Sequence, residues 1–270
     1  MNTTFLTKIS FLLFLFAWVL VGCDTVDSSS GEETAPAVLP AEAFALDLDM
    51  FGTQASKSNQ ENSHYVAAVW RVGVATVITG TILYYPAVLT EAVQEVEPLI
   101  NEDTYIWSSI TEVNGRDHGV ELRARLDGEF IDWTMRVSGM DDETGQYLEN
   151  FVLYEASTGI LSNNGTFEVF YPKDGGSLKV MDGAYIVEDE NNHTLEFSIP
   201  LQVEDIGGSV GIYNHAETIN SVDLTGPLGG NHFIEWNNQT NAGSITADDY
   251  NEGERACWDS ELQNVECEGV

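Results

Sequence analysis

Cations are scarce in this chain: 10 Lys+Arg stand against 44 Asp+Glu, leaving a net charge of -34. That deficit excludes a basic groove for nucleic acid and a basic face for anionic lipid head groups, because phosphates would be repelled from nearly every side. Cysteine is scarce too, with 3 in 270 residues, and no regular ligand spacing surrounds them, so no metal cluster is expected. The five histidines, His64, His118, His193, His215 and His232, lack any H-E-x-x-H spacing. They are read as surface or turn histidines. Acidic clusters occur at Asp141, Asp142 and Glu143, at Glu188, Asp189 and Glu190, and at Asp248, Asp249 and Glu252, but none has the glycine and glutamate spacing of a calcium loop. They read as solvated turns. No cofactor is implied.

Long apolar runs are few as well. The first covers residues 9–21, with Lys8 before it and Ser10 its only polar residue, and it is too short to span a bilayer comfortably. It ends in Leu20, Val21, Gly22 and Cys23. This order of apolar core, small residues and cysteine resembles the signal of bacterial lipoproteins. The resemblance implies removal of residues 1–22, acylation of Cys23, and a protein held by that lipid on the inner or outer membrane, facing the periplasm or the cell surface. Residues 24–40 then form an acidic tether rich in Ser, Gly and Pro, with a random-coil reach of about 20–25 Å. Removing residues 1–22 of 270 leaves 248, and residues 41–270 read as one domain. With Cys23 lipidated, Cys257 and Cys267 remain as a pair, and outside the cytoplasm they are expected to form a disulfide.

Acids occur in every region while 43% of the residues are hydrophobic, the pattern of a folded domain in an acidic coat. Such a balance resembles that of proteins from salt-loving organisms, in which salt screens the self-repulsion. The ten cations look scattered along the chain.

The second apolar run, residues 65–85, contains Arg71, three threonines and two glycines and lacks flanking cations, features that argue against a membrane span. It reads as a long buried helix, with Gly73, Thr76 and Gly80 as a stripe for close approach. Pro86 interrupts it or opens a second helix over 87–96, and residues 101–103 close the helical part. Thereafter the period becomes two. Val120, Leu122, Ala124 and Leu126 alternate with Glu121, Arg123 and Arg125, and Ile131, Trp133, Met135 and Val137 alternate with Asp132, Thr134 and Arg136. Further strands are expected at 147–154, 160–162, 167–171, 178–181, 185–188, 195–199, 211–214, 232–236 and 243–246. The fold class is therefore α+β: a curved antiparallel β-meander, half-barrel or barrel-like, with two apolar helices packed against it.

Gly207, Gly208, Ser209, Val210 and Gly211 fit the G-x-S-x-G pattern of a hydrolase, but the following residues are strand-like where a helix is needed. Trp70, Trp107, Trp133, Trp236 and Trp258 are dispersed and read as core rather than as a sugar-binding face. Arg71, a lone charge in an apolar segment, must reach an acid inside the domain or face a ligand cavity. The functional expectation is a membrane-anchored, non-catalytic binding or carrier module for an apolar ligand such as a lipid. The second expectation is a structural or assembly lipoprotein acting on other envelope proteins, and the third is a surface hydrolase built on Ser209.

Overall fold

In the computed structural model the change of period near residue 100 marks a change from helix to sheet. The structure describes residues 63–267 apart from 142–143, 163, 190–191 and 228–229, together with 35–36, 38 and 50–51. A helix, α1 (His64–Gln94), is followed in chain order by fourteen strands. These are β1 (Leu99–Asn101), β2 (Thr104–Val113), β3 (Arg116–Asp127), β4 (Phe130–Met140), β5 (Tyr147–Gly159), β6 (Gly165–Lys173) and β7 (Gly176–Asp189). They continue as β8 (Asn192–Ser198), β9 (Val210–His215), β10 (Ile219–Thr225), β11 (His232–Asn237), β12 (Gly243–Ala247), β13 (Ala256–Trp258) and β14 (Asn264–Val265). Each strand pairs antiparallel with the next, so spatial order equals chain order, and the sheet stays open with β1 and β14 at its edges. Tight turns make the reversals cheap. Asn114-Gly115 and Asp174-Gly175 both take positive φ at the two central positions, as the two-residue turn that matches strand twist requires.

The alternation sorts side chains by face. On one face an unbroken row of partners, Ala124, Trp133, Ala156, Phe167, Gly183, Phe197, Gly211 and Leu224, crosses from β3 to β10. Trp107, Leu122, Met135, Val169, Met181, Leu195, Tyr213, Ile234 and Ile245 lie buried beside it. Trp107 stacks on Trp133 with ring centroids 6.0 Å apart, and the Trp133 indole N–H donates to Thr158 Oγ1 at 3.0 Å. A tryptophan can be buried at little polar cost when its N–H finds an acceptor.

α1 packs on β2 and β3 near one edge of the sheet and on β11, β12 and β13 near the other. Its start is fixed by Ser63, whose hydroxyl accepts the Val66 N–H at 3.0 Å, satisfying one of the free donors of the first turn. Tyr65, Ala68, Val72, Leu89 and Val93 are buried. The Phe51 ring lies edge-on to Trp236 at 4.9 Å, and Tyr65 lies edge-on to Trp258 at 5.9 Å, so residue 51, α1, β11 and β13 share one aromatic cluster.

Four expectations are corrected. The two helices divided at Pro86 are one continuous α-helix, with Pro86 buried inside it. Proline removes a backbone donor there, and Thr90 Oγ1 donates to the Pro86 carbonyl at 2.7 Å. Residues 99–101 are strand β1, not the end of a helix. The segments 178–181 and 185–188 are one strand, β7; Gly183 between them lies against the Phe167 ring. Gly73 is not a point of close approach, since nothing lies within 4 Å of where its Cβ would be.

Candidate functional site

The face opposite the aromatic row carries the polar residues of the same strands. One register line runs Arg123, Thr134, Glu155, Glu168, Asp182, Ser198 and Val210, from β3 to β9. A parallel line runs Arg125, Asp132, Ser157, Thr166, Ala184 and Glu196. Register shifts interrupt β4 against β5, β6 against β7 and β7 against β8, and such bulges bend and twist a sheet. A trough of about 920 Å³ lies over this face. Small side chains, Ser157, Thr166 and Ala184, line it between the charged ones.

Charge in the trough is arranged, not random. Four of the ten cations of the chain, Arg123, Arg125, Arg136 and Lys179, line it. Arg123 pairs with Glu121 at 2.7 Å and Arg125 with Asp132 at 3.2 Å. Lys179 lies 3.0 Å from Glu168 and 3.1 Å from Asp182. Hydrogen bonds to Glu168 and then Asp182 hold the Lys179 ammonium above its usual range. Partial burial pushes the Asp182 carboxyl up, but the Ser198 hydroxyl, 2.7 Å away, and Lys179 outweigh it and hold the group below the usual carboxylate range. Glu155 and Glu168 face each other as cross-strand partners, a placement in which like charges repel. Arg136 donates to the Asn150 carbonyl at 3.3 Å and meets no carboxylate among the described residues. Glu155 and Glu196 likewise have no ion-pair or hydrogen-bond partner among the described residues.

No protein family, characterised protein or solved structure matches this chain.

The residues singled out in the sequence are dispersed. Cys23 lies outside the described residues. Cys257 and Cys267 stand at disulfide distance, with Cα atoms 5.2 Å apart, a normal span for the bond; they tie β13 to the chain beyond β14. Arg71 finds an acid: its Nη2 lies 2.6 Å from Asp249 Oδ1, its Nη1 donates to the Ala67 carbonyl at 3.0 Å, and its guanidinium lies 5.4 Å from the centroid of the Tyr250 ring. The guanidinium holds the Asp249 carboxyl below its usual range. Ser209 is buried in the connection before β9, and the element after it is a strand, so the strand, turn and helix of a nucleophile elbow are not formed.

Of the histidines, His118 bonds the carbonyls of Arg116 and Met140, His64 bonds Tyr250 at 2.7 Å, and His193 stacks on His215 at 4.7 Å. Burial lowers the His64 pKa. Both His118 and His232 are buried, against the surface placement expected of them. Among the described residues no group of three or more His, Cys, Asp and Glu is placed to hold a metal ion, and no described helix is long and apolar enough to cross a membrane. Trp107, Trp133, Trp236 and Trp258 are buried in the core, whereas Trp70 is 72% exposed, so the tryptophans offer no exposed face for a sugar.

The trough itself was missed because its cations looked scattered. The available signal was phase: Arg123 and Arg125 on one strand and Arg136 on the next all occupy the wet positions of a hairpin.

Proposed function

We propose that the chain is an envelope lipoprotein, tethered through a lipid on Cys23, whose domain is a non-catalytic binding module acting through the polar trough. The sheet is read as a half-barrel with α1 set across its open side, so that its apolar face is internal and its polar face is offered to a partner. The observation that carries this reading is the trough of about 920 Å³ with charged side chains that meet no oppositely charged partner among the described residues. Concave sites with a few convergent polar groups are where ligands bind. A structural or assembly role, exerted through contacts with other envelope proteins, is compatible with the same surface.

A second reading, carriage of a lipid or other apolar ligand against the inner face, is favoured by the apolar residues that β3 to β12 place there. Native mass spectrometry of protein purified from the envelope without detergent separates the two. Ser157→Trp sets an indole on the trough floor and serves as the blocked variant. A polar ligand present in the parent and absent from Ser157→Trp supports the trough. An apolar adduct retained by both supports the carrier reading, and a clean apo mass counts against both. Replacement of Cys23 by Ala is expected to move the protein to the soluble fraction; continued membrane attachment would overturn the tether.

A further inference from the structure

The trough contains a cation and an anion that meet no oppositely charged side chain among the described residues, and their surroundings name a class of ligand. With 44 acids in the chain against 10 cations, a carboxylate partner is easily supplied. Arg71, Arg123, Arg125, Lys173, Lys179 and Arg255 each have one. Arg136, on the trough wall, has instead the Asn150 carbonyl at 3.3 Å. Arg136 is two residues along β4 from Thr134, the cross-strand partner of Glu155, and a register shift between Met135 and Arg136 sets Arg136 opposite Val152. Both line the trough, yet Arg136 and Glu155 form no ion pair with each other.

Resting on the reading of the trough as a binding surface, we infer that its occupant is an extended polypeptide segment of mixed charge, with a carboxylate on Arg136 and an ammonium on Glu155. Three observations select this class. The basic side chains of β3 and β4 oppose a purely cationic ligand, and Glu155, Glu168, Asp182 and Glu196, within a chain of net charge -34, oppose a purely anionic one. The aromatic residues at the trough, Trp133, Phe167 and Phe197, are 3%, 1% and 4% exposed, so no ring face is offered for stacking on a sugar. The lining runs from Thr104 on β2 to Val210 on β9, and at about 4.8 Å per strand interval and 3.4 Å per residue that length accepts about ten extended residues.

The test is fluorescence anisotropy on the full-length protein with three labelled synthetic peptides of about ten to twelve residues. One repeats Glu-Ser-Lys-Ser, one Glu-Ser-Glu-Ser and one Lys-Ser-Lys-Ser. The mixed-charge peptide is expected to bind most tightly, and Arg136→Gln and Glu155→Gln are each expected to weaken it at least about tenfold. The all-lysine peptide, which any acidic surface attracts, is expected to be insensitive to Arg136→Gln. Both positions are on the open face, and circular dichroism verifies the fold of each variant. Mixed-charge binding that is no tighter than all-lysine binding, or that either substitution leaves unchanged, overturns the assignment. If that happens while a ligand lost in Ser157→Trp is still found by native mass spectrometry, such as a neutral polysaccharide, the trough remains a binding site for another class. Failure of both measurements removes the binding reading as well.

Discussion

A Cβ added at Gly183 would meet the Phe167 ring at 2.6 Å and crowd the Glu196 carbonyl of the neighbouring strand. Gly183→Ala is therefore expected to destabilise the domain by about 1–3 kcal/mol, the usual cost of overpacking a filled core. Gly73 on α1 is the internal contrast, since a Cβ there meets nothing within 4 Å. Gly73→Ala is expected to stabilise by up to about 1 kcal/mol through helix propensity, and urea denaturation of the two variants checks both signs. Single charges follow the same local logic. Asp182 and Asp249 titrate below the ordinary 3.8 in the folded state. Their contribution is complete above the unfolded value and is lost as pH falls through the folded one. Lys179, held above 10.5, contributes fully below that value and loses its share only as pH rises past it. Because the Asp182 side chain is 39% exposed, Asp182→Asn is expected to cost less than about 1 kcal/mol at pH 7. The same substitution should flatten the loss of stability as pH falls below the ordinary carboxylate value of 3.8, measured by denaturation at each pH.

At the scale of elements, local pattern was a good guide wherever the apolar phase was long and clean. β3 and β4 were legible as a hairpin because every second residue is apolar for four consecutive places on each. β10 was not, because its buried positions are Asn220, Val222 and Leu224, and a polar residue opens the phase. Asn220 is fully buried because its carbonyl oxygen accepts from the Ala216 N–H and the Asn238 side chain, partners set by the fold rather than by neighbours in the chain. β13 and β14, three and two residues long, are too short to carry a period at all. The disulfide here does what the short strands cannot, closing the chain over 257–267 across a sequence separation of 10. Replacing Cys257 and Cys267 together by Ala is expected to cost about 2–3 kcal/mol through the freed unfolded chain. Thermal unfolding should show it as a drop of roughly 2–4 °C for each kcal/mol, while α1 and the hairpins from β2 to β8 keep their circular dichroism signal below the transition.

For the molecule as a whole, the acidic coat was legible from composition alone, whereas the trough depends on registers that bring Arg123, Glu155 and Asp182 onto one line from strands far apart in the chain. A net charge of -34 on 270 residues opposes the compact state by self-repulsion. The Debye length falls from about 10 Å at 0.1 M salt to about 3 Å at 1 M, so screening relieves most of that repulsion within the first molar. The exposed ion pairs, such as Lys173 with Glu204 and Arg125 with Asp132, pull the other way, but pairs of that kind contribute at most about 1 kcal/mol each. The melting temperature is therefore expected to climb steeply in sodium chloride up to about 1 M and then level off. A rise that stays linear to higher concentration would instead report general exclusion of salt from the surface. A melting temperature indifferent to salt would mean that the carboxylates are spaced widely enough for water alone to hold them apart, and the coat would carry no stability role.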